Sequence, residues 1–211
     1  MKEYHKIQTV FKRDETSKFK SLIEGSYSLP AFEFLKDNQW VFTEKVDGTN
    51  IRIMVHERGV TFGGKTDDAQ IPAHLVERLR SMFGPDMEAK LRETFPDGGC
   101  LYGEGYGAKI QKGGGNYSQT QEFVLFDVRV GEWWLEQANV EDVAGKLGLR
   151  AVPIIGSGTL DFMVDMARTG FNSQWGNFQA EGIVARPHVE LKTRNGDRII
   201  TKIKTRDFVK R

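Results

Sequence analysis

The chain has 211 residues, 39% hydrophobic and 28% charged, with 14 Phe and 4 Trp: an ordinary globular composition, with length for one large domain or two small ones. A single cysteine, Cys100, excludes an intramolecular disulfide framework; no apolar run is long enough to span a bilayer, and the opening MKEYHKIQTVFKRDE is too charged for a signal peptide. Together these features predict a cytoplasmic protein without membrane contact. The net charge of +1 is unevenly spread, with nine Lys/Arg against three Asp/Glu from Arg186 onward, a local net of +6, and −5 over the remainder. A basic end on a near-neutral protein suits a polyanion held locally, although a solvated charged face has the same composition.

In chain order, Trp40 to Val46 and Ile51 to Val55 read as strands joined by Asp47-Gly48, the strongest short hairpin signal. Gly59 to Phe62 reads as a third strand. Helices are predicted over Pro72–Phe83, with Leu75, Leu79 and Met82 at helical spacing, and over Met87–Phe95, with Gly84-Pro85 between them. Strand character returns at Cys100–Glu104 and Glu122–Val128, around GAKIQKGGGNYSQT, whose Gly113, Gly114 and Gly115 predict a pliable loop. That loop lacks the Gly-Lys-Ser/Thr ending of a P-loop and opens no helix. Short helices follow near Val140–Leu147 and Leu160–Arg168, the second with Thr159 as N-cap and Gly170 past its end. Two last strands, Glu181–Arg186 and Arg198–Lys204, flank an Asn195-Gly196 turn. Strands outnumber helices and cluster at both ends, which predicts an α+β fold with antiparallel sheets.

Four features carry chemistry. In Arg198–Lys204, strand alternation puts Ile200, Lys202 and Lys204 on one face, with successive ammonium-bearing residues roughly 6.5–7 Å apart at the backbone. Facing water, such a pair is screened; facing a cleft, it calls for an anion, and a polyphosphate is the natural one. Glu181, followed by a glycine that lets a ligand approach the backbone, suits a metal or ribose contact, or is an exposed strand-end carboxylate. Glu104, between Gly103 and Gly105, has the same two readings. Phe126 in FVLFDV is either a core aromatic or a stacking platform for a base.

The order of these features, with EKVDGTN at 44–50, GEGYGAKIQK at 103–112, FVLFDV at 123–128, AEGIVAR at 180–186 and KIKTRDF at 202–208, resembles the successive motifs of the covalent nucleotidyltransferase superfamily. With YHKIQTVFKR at the N-terminus, the set is similar to the RNA ligases that seal nicks in duplex RNA, over nearly the whole chain. The resemblance implies antiparallel sheets with flanking helices forming a nucleotide-binding cleft, an ATP-grasp-like ligase core. It also implies an ATP-dependent reaction in which Lys45 attacks the α-phosphorus of ATP and becomes a lysyl-N–AMP. In the same carry-over Glu104 binds the ribose, Phe126 stacks on adenine, and Glu44 contacts adenine. Glu181 binds Mg²⁺ or Mn²⁺, Lys202 and Lys204 contact the phosphates, and Asn50 orients the phosphate and the attacking 3′-hydroxyl. The AMP then passes to an RNA 5′-phosphate, and attack by the 3′-OH expels it.

Two departures stand out. Where relatives carry a nucleotide-contacting arginine after the first motif, FGGKT offers Lys65, which cannot reproduce a bidentate guanidinium contact, and Arg52 belongs to the turn strand. The sequence also stops seven residues after Lys204, which predicts one nucleotidyltransferase domain over 1–211 without an OB-fold. A capping guanylyltransferase and a DNA ligase share the lysine chemistry but normally carry that OB-fold. A binding module for nucleotides or RNA ends would have no need of a nucleophile. A protein partner supplying further nucleic-acid surface is compatible with the sequence.

Overall fold

The structure is a computed structural model and describes residues 2–208. The chain opens with β1 (Gln8–Thr9), β2 (Phe11–Arg13), β3 (Leu22–Tyr27), the short helix α1 (Pro30–Phe34) and β4 (Trp40–Lys45). Next come β5 (Thr49–His56), β6 (Gly59–Gly63), α2 (Ala73–Met82), α3 (Pro85–Thr94), β7 (Gly99–Tyr106) and α4 (Gly114–Tyr117). The second half contains β8 (Glu122–Val130), β9 (Trp133–Trp134), α5 (Gln137–Leu147), β10 (Arg150–Ala151), β11 (Ile154–Gly158) and α6 (Leu160–Thr169). β12 (Gly182–Pro187), β13 (Thr201–Lys204) and a 3₁₀ turn over Thr205–Phe208 complete it. The result is an α+β fold in which every strand pair is antiparallel except β1 with β13 and β8 with β10.

The chain divides into two compact units, one formed by residues up to His5 with Asp47–Val152, the other by Lys6–Val46 with residues from Pro153 onward. In the first, a sheet of order β10-β8-β7-β5-β6, extended by β9 on β8, carries the helices on one face. Alternation along β5 sends Ile51, Ile53 and Val55 into a core shared with Leu75, Leu79, Leu91, Leu101, Leu125 and Val140. Each such side chain contributes roughly 1.5–3 kcal/mol on burial. The alternate residues, Asn50, Arg52 and Met54, therefore project from the other face. α2 and α3 meet at Gly84, an extended N-cap followed by Pro85 at the first helical position.

In the second unit the sheet order is β1-β13-β12-β4-β11, with β2 and β3 as a separate ladder. α6 presents Leu160, Met163, Val164 and Ala167 to Phe32, Trp40, Phe42, Ile183, Ala185 and Ile203. It starts where Thr159 accepts the Phe162 amide at 3.2 Å and ends at Gly170 with φ of 77°. Thr201 and Ile203 face that core, so Lys202 and Lys204 share the opposite face, as their spacing predicts.

Three sequence expectations are corrected. β4 and β5 do not form a hairpin: β4 pairs with β11 and β12, whereas β5 pairs with β6 and β7. Asp47-Gly48 is instead a passage from one sheet to another. A Cβ at Gly48 would lie 2.3 Å from the Gly105 carbonyl oxygen and 2.7 Å from the Glu104 Cγ, so a close approach, not a left-handed turn, requires glycine there. The glycine loop does open a helix, the single turn α4 with Gly113 as its N-cap, and it is closed on itself at Gly114, where a Cβ would lie 2.0 Å from the Gly107 carbonyl oxygen. The Asn195-Gly196 turn is present, with Gly196 at φ 84°, but β13 begins only at Thr201.

Cys100 lies in β7, 2% exposed, and burial pushes its thiol up to about 11. Its labelling by a maleimide at pH 8 is expected to be at least about a hundredfold slower in the native protein than in denaturant, because native thiolate is scarce and inaccessible. Labelling at the same rate in both states would contradict the packing of β7. No helix among the described residues is long and apolar enough to cross a membrane.

Candidate active site

The second unit brings three of the sequence-predicted residues together. Across β4, β12 and β13, Lys45 lies directly opposite Gly182, and Gly182 directly opposite Lys204. With neighbouring strands about 4.8 Å apart, the two lysine backbones stand roughly 10 Å apart with a residue lacking a side chain between them. Glu181, one position before Gly182, spans that gap. Its Oε2 accepts from the Lys45 ammonium at 2.7 Å, and its Oε1 lies 2.6 Å from the Lys204 Nζ. All three side chains are largely withdrawn from water, so these charge-assisted contacts are stronger than a surface pair.

Gly182 is required by packing and not by a ligand at the backbone, which corrects the sequence reading: a Cβ there would meet the Ile203 carbonyl oxygen at 2.1 Å. Lys202 sits two residue positions along on the same face, opposite Val184, which in turn lies opposite Thr43. Glu44 projects to the other face of β4 from Lys45 and is 1% exposed. Its carboxylate accepts from the Ser173 hydroxyl at 2.5 Å and from the Gln174 amide at 2.8 Å, which anchors the loop before β12.

In the first unit, Asn50 and Glu104 are direct partners across β5 and β7, on the face away from the helices. The flanking Gly103 and Gly105 face the core, where a Cβ would collide with Phe123 or Leu75. They let the sheet pack closely and leave Glu104 as the one side chain that this stretch projects from the opposite face. Among the described residues the Asn50 Oδ1 is buried without a hydrogen-bond partner. Gly48 packs on the Glu104 stem, and its carbonyl accepts from Gln111 at 3.1 Å, so the glycine loop pins the VDGTN segment.

Phe126 sits at the β7–β8 register shift, where Tyr102 pairs with Asp127 and Gly103 with Leu125. It is half-buried and meets the Tyr4 ring edge-on at 5.1 Å, while the Tyr4 hydroxyl donates to Asp127 at 2.9 Å. Tyr4 thus packs against Phe126, a contact that the N-terminal YHKI stretch did not disclose. Lys65 is exposed just beyond β6. The buried Arg52 holds that connection, donating to the Gly64 carbonyl and to Asp67, each at 2.7 Å.

The profile of the RNA ligase family matches residues 38–204. The chain belongs to the RNA ligase family. Its fold is similar to that of a Naegleria gruberi RNA ligase, in a mutant with ATP and Mn at 17% identity and a TM-score of 0.67, covering 96% of this chain and 57% of that one. Another mutant of the same protein with ATP and Mn matches at 20% identity and a TM-score of 0.65, over 83% of this chain and 51% of that one. The same ligase with PPi matches at 18% identity and a TM-score of 0.63, over 96% and 57%. This chain therefore spans a little over half the length of the structures it matches. Curated proteins yield no match.

Proposed function

We propose that this chain is an ATP-dependent RNA ligase that joins 3′-OH and 5′-phosphate ends through a lysyl-N–AMP on Lys45, its two units working as one adenylyltransferase. The observation that carries the reading is the row Lys45–Gly182–Lys204 with Glu181 bridging the two ammonium groups. A lysine with an ordinary pKa near 10.4 is a poor nucleophile at neutral pH, and an ion pair with Glu181 keeps it charged. Among the described residues no group of three His, Cys, Asp or Glu could hold a metal by itself. One carboxylate fits Mg²⁺ or Mn²⁺ when phosphate oxygens and water complete the shell. A divalent ion on Glu181 would supply positive charge beside the amine and the reacting phosphate.

Glu181 would hold that ion, and with its carboxylate so engaged Lys45 would lose the contact that favours its charged form and would release a proton to solvent. The Lys45 Nζ forms a bond to the α-phosphorus as the bond to pyrophosphate breaks, while Lys202 and Lys204 offset charge on the leaving group. In this reading Glu104 holds the ribose hydroxyls, Phe126 stacks on adenine, and Glu44 and Lys65 make further nucleotide contacts. Asn50 orients the phosphate through its amide N–H, and its buried Oδ1 is the acceptor for the attacking 3′-OH, when AMP passes to an RNA 5′-phosphate and that hydroxyl displaces it. The matched structures of the Naegleria gruberi protein with ATP and Mn support the choice of nucleotide and ion.

Intact-protein mass spectrometry after incubation with ATP and Mn²⁺ tests this. The expected result is a gain of one AMP that is absent with GTP and absent in excess EDTA, followed by joining of a nicked RNA duplex. No adduct with any nucleotide would overturn the catalytic reading and leave a nucleotide- or RNA-binding module.

A further inference from the structure

The loop between β2 and β3 presents an aromatic ring at a conformational cost. Lys18 and Phe19 have φ of 56° and 61°, consecutive left-handed residues, neither of them glycine or asparagine. A bulky residue there is an outlier, and such strain is characteristic of functional positions. Burial does not compensate, since Phe19 is 57% exposed. The loop is nonetheless tightly tied: Asp14 accepts from the Thr16 amide and hydroxyl, its carbonyl accepts from Phe19 N at 2.9 Å, and the Ser17 hydroxyl accepts from the Lys20 and Ser21 amides. An exposed ring on a backbone already tied in place loses less entropy when a flat ligand covers it than one on a free loop.

Phe19 lines a groove of about 1330 Å³ with Lys12, Lys20, Lys202, Lys204 and Arg206. Seven basic side chains and three acidic ones face it in all. Two of the three acids are engaged, Glu24 with Arg168 and Asp207 with Arg13. Arg13 also donates to the Phe19 carbonyl at 3.2 Å, and Asp207 accepts the Lys204 amide at 3.0 Å. A continuous chain of hydrogen bonds therefore runs from the Lys204 backbone through Asp207 and Arg13 to the loop carrying Phe19. A basic groove with one fixed aromatic face is the combination that holds single-stranded nucleic acid, the cations taking phosphates and the ring a base.

We propose that this groove binds the RNA strand, with Phe19 as the platform on which one unpaired base stacks and Arg13 as the residue that positions it. The assignment rests on reading the chain as an RNA ligase, and binding tests it separately from catalysis. The probes are a short 5′-phosphorylated single-stranded RNA and inorganic polyphosphate, measured at one fixed salt concentration. Phe19→Ala and Phe19→Leu are expected to weaken RNA binding about tenfold to a hundredfold, the effect of losing one stacked base, and Phe19→Trp to restore it. Polyphosphate affinity should be the same in all four proteins, because it draws on the cations alone. The side chain is exposed, so the unfolding midpoints should agree as well.

RNA binding by Phe19→Leu equal to wild type, or equal loss of RNA and polyphosphate in Phe19→Ala, would overturn the stacking role. Undiminished RNA affinity in all variants would also overturn it, and would assign the groove's contact with this face to a protein or to phosphate alone. If the wild-type chain forms no AMP adduct while RNA affinity still depends on Phe19, the ligase reading fails and the platform stands. An adduct together with Phe19-independent RNA binding has the reverse meaning.

Discussion

Lys45→Ala is expected to form no AMP adduct with ATP and Mn²⁺, even at long incubation and high protein concentration. Lys45→Arg should fail equally, since a guanidinium stays protonated and cannot serve as the nucleophile, although it preserves the charge opposite Glu181. The arginine variant matters because loss of the ammonium alone would also leave Glu181 and Lys204 unbalanced. Glu181→Gln should behave differently. It keeps the shape of the bridge and removes the charge that a divalent ion needs. Adduct formation at limiting Mn²⁺ should drop by at least about tenfold and recover in part as Mn²⁺ is raised. An adduct in Lys45→Arg, located by peptide mapping on another lysine, would refute Lys45 as the nucleophile. A metal-independent deficit in Glu181→Gln would assign Glu181 to positioning the two lysines only.

How much of this was legible in the sequence depends on how local each feature is. The shared face of Lys202 and Lys204 was readable because strand alternation is a two-residue property, and the buried Thr201 and Ile203 supply its other half. Thr159 and Gly170 bracket α6 for the same reason. The pairing partners of β4 were not readable. Asp-Gly announces a change of direction, but β4 finds β12 across more than a hundred residues, and nothing local encodes that register. The same applies to β1, an element of two residues whose partner is β13. Phe19 was invisible for a further reason: its sequence neighbours are ordinary loop residues, and only the backbone angle and exposure set it apart. Glycines were the most misleading residues. Gly48 reads as a hairpin turn, and Gly103, Gly105 and Gly182 as positions where a ligand meets the backbone, yet the place of a Cβ at each is taken by the chain's own atoms.

At Gly182 the atoms a Cβ would meet are the Ile203 carbonyl oxygen at 2.1 Å and the Lys204 Cα at 2.8 Å, both backbone. No side-chain rotation relieves such a contact, so Gly182→Ala must push β12 and β13 apart. The cost is expected to be about 1–3 kcal/mol, a drop of roughly 2–12 °C in the unfolding midpoint. Gly145→Ala, in the last turn of α5 with nothing within 4 Å of its Cβ, should shift the midpoint the other way, by up to about 0.5–1 kcal/mol of added stability. The two alanines thus carry opposite signs. Displacement of Lys204 from Glu181 adds a second effect to Gly182→Ala alone. At temperatures where the variant is fully folded by circular dichroism, its rate of AMP-adduct formation should still be at least about tenfold below wild type, the scale of one misplaced charge contact to the reacting phosphate. A folded Gly182→Ala with wild-type adduct rate would show that the spacing of Lys45 and Lys204 across the glycine row does not set the chemistry.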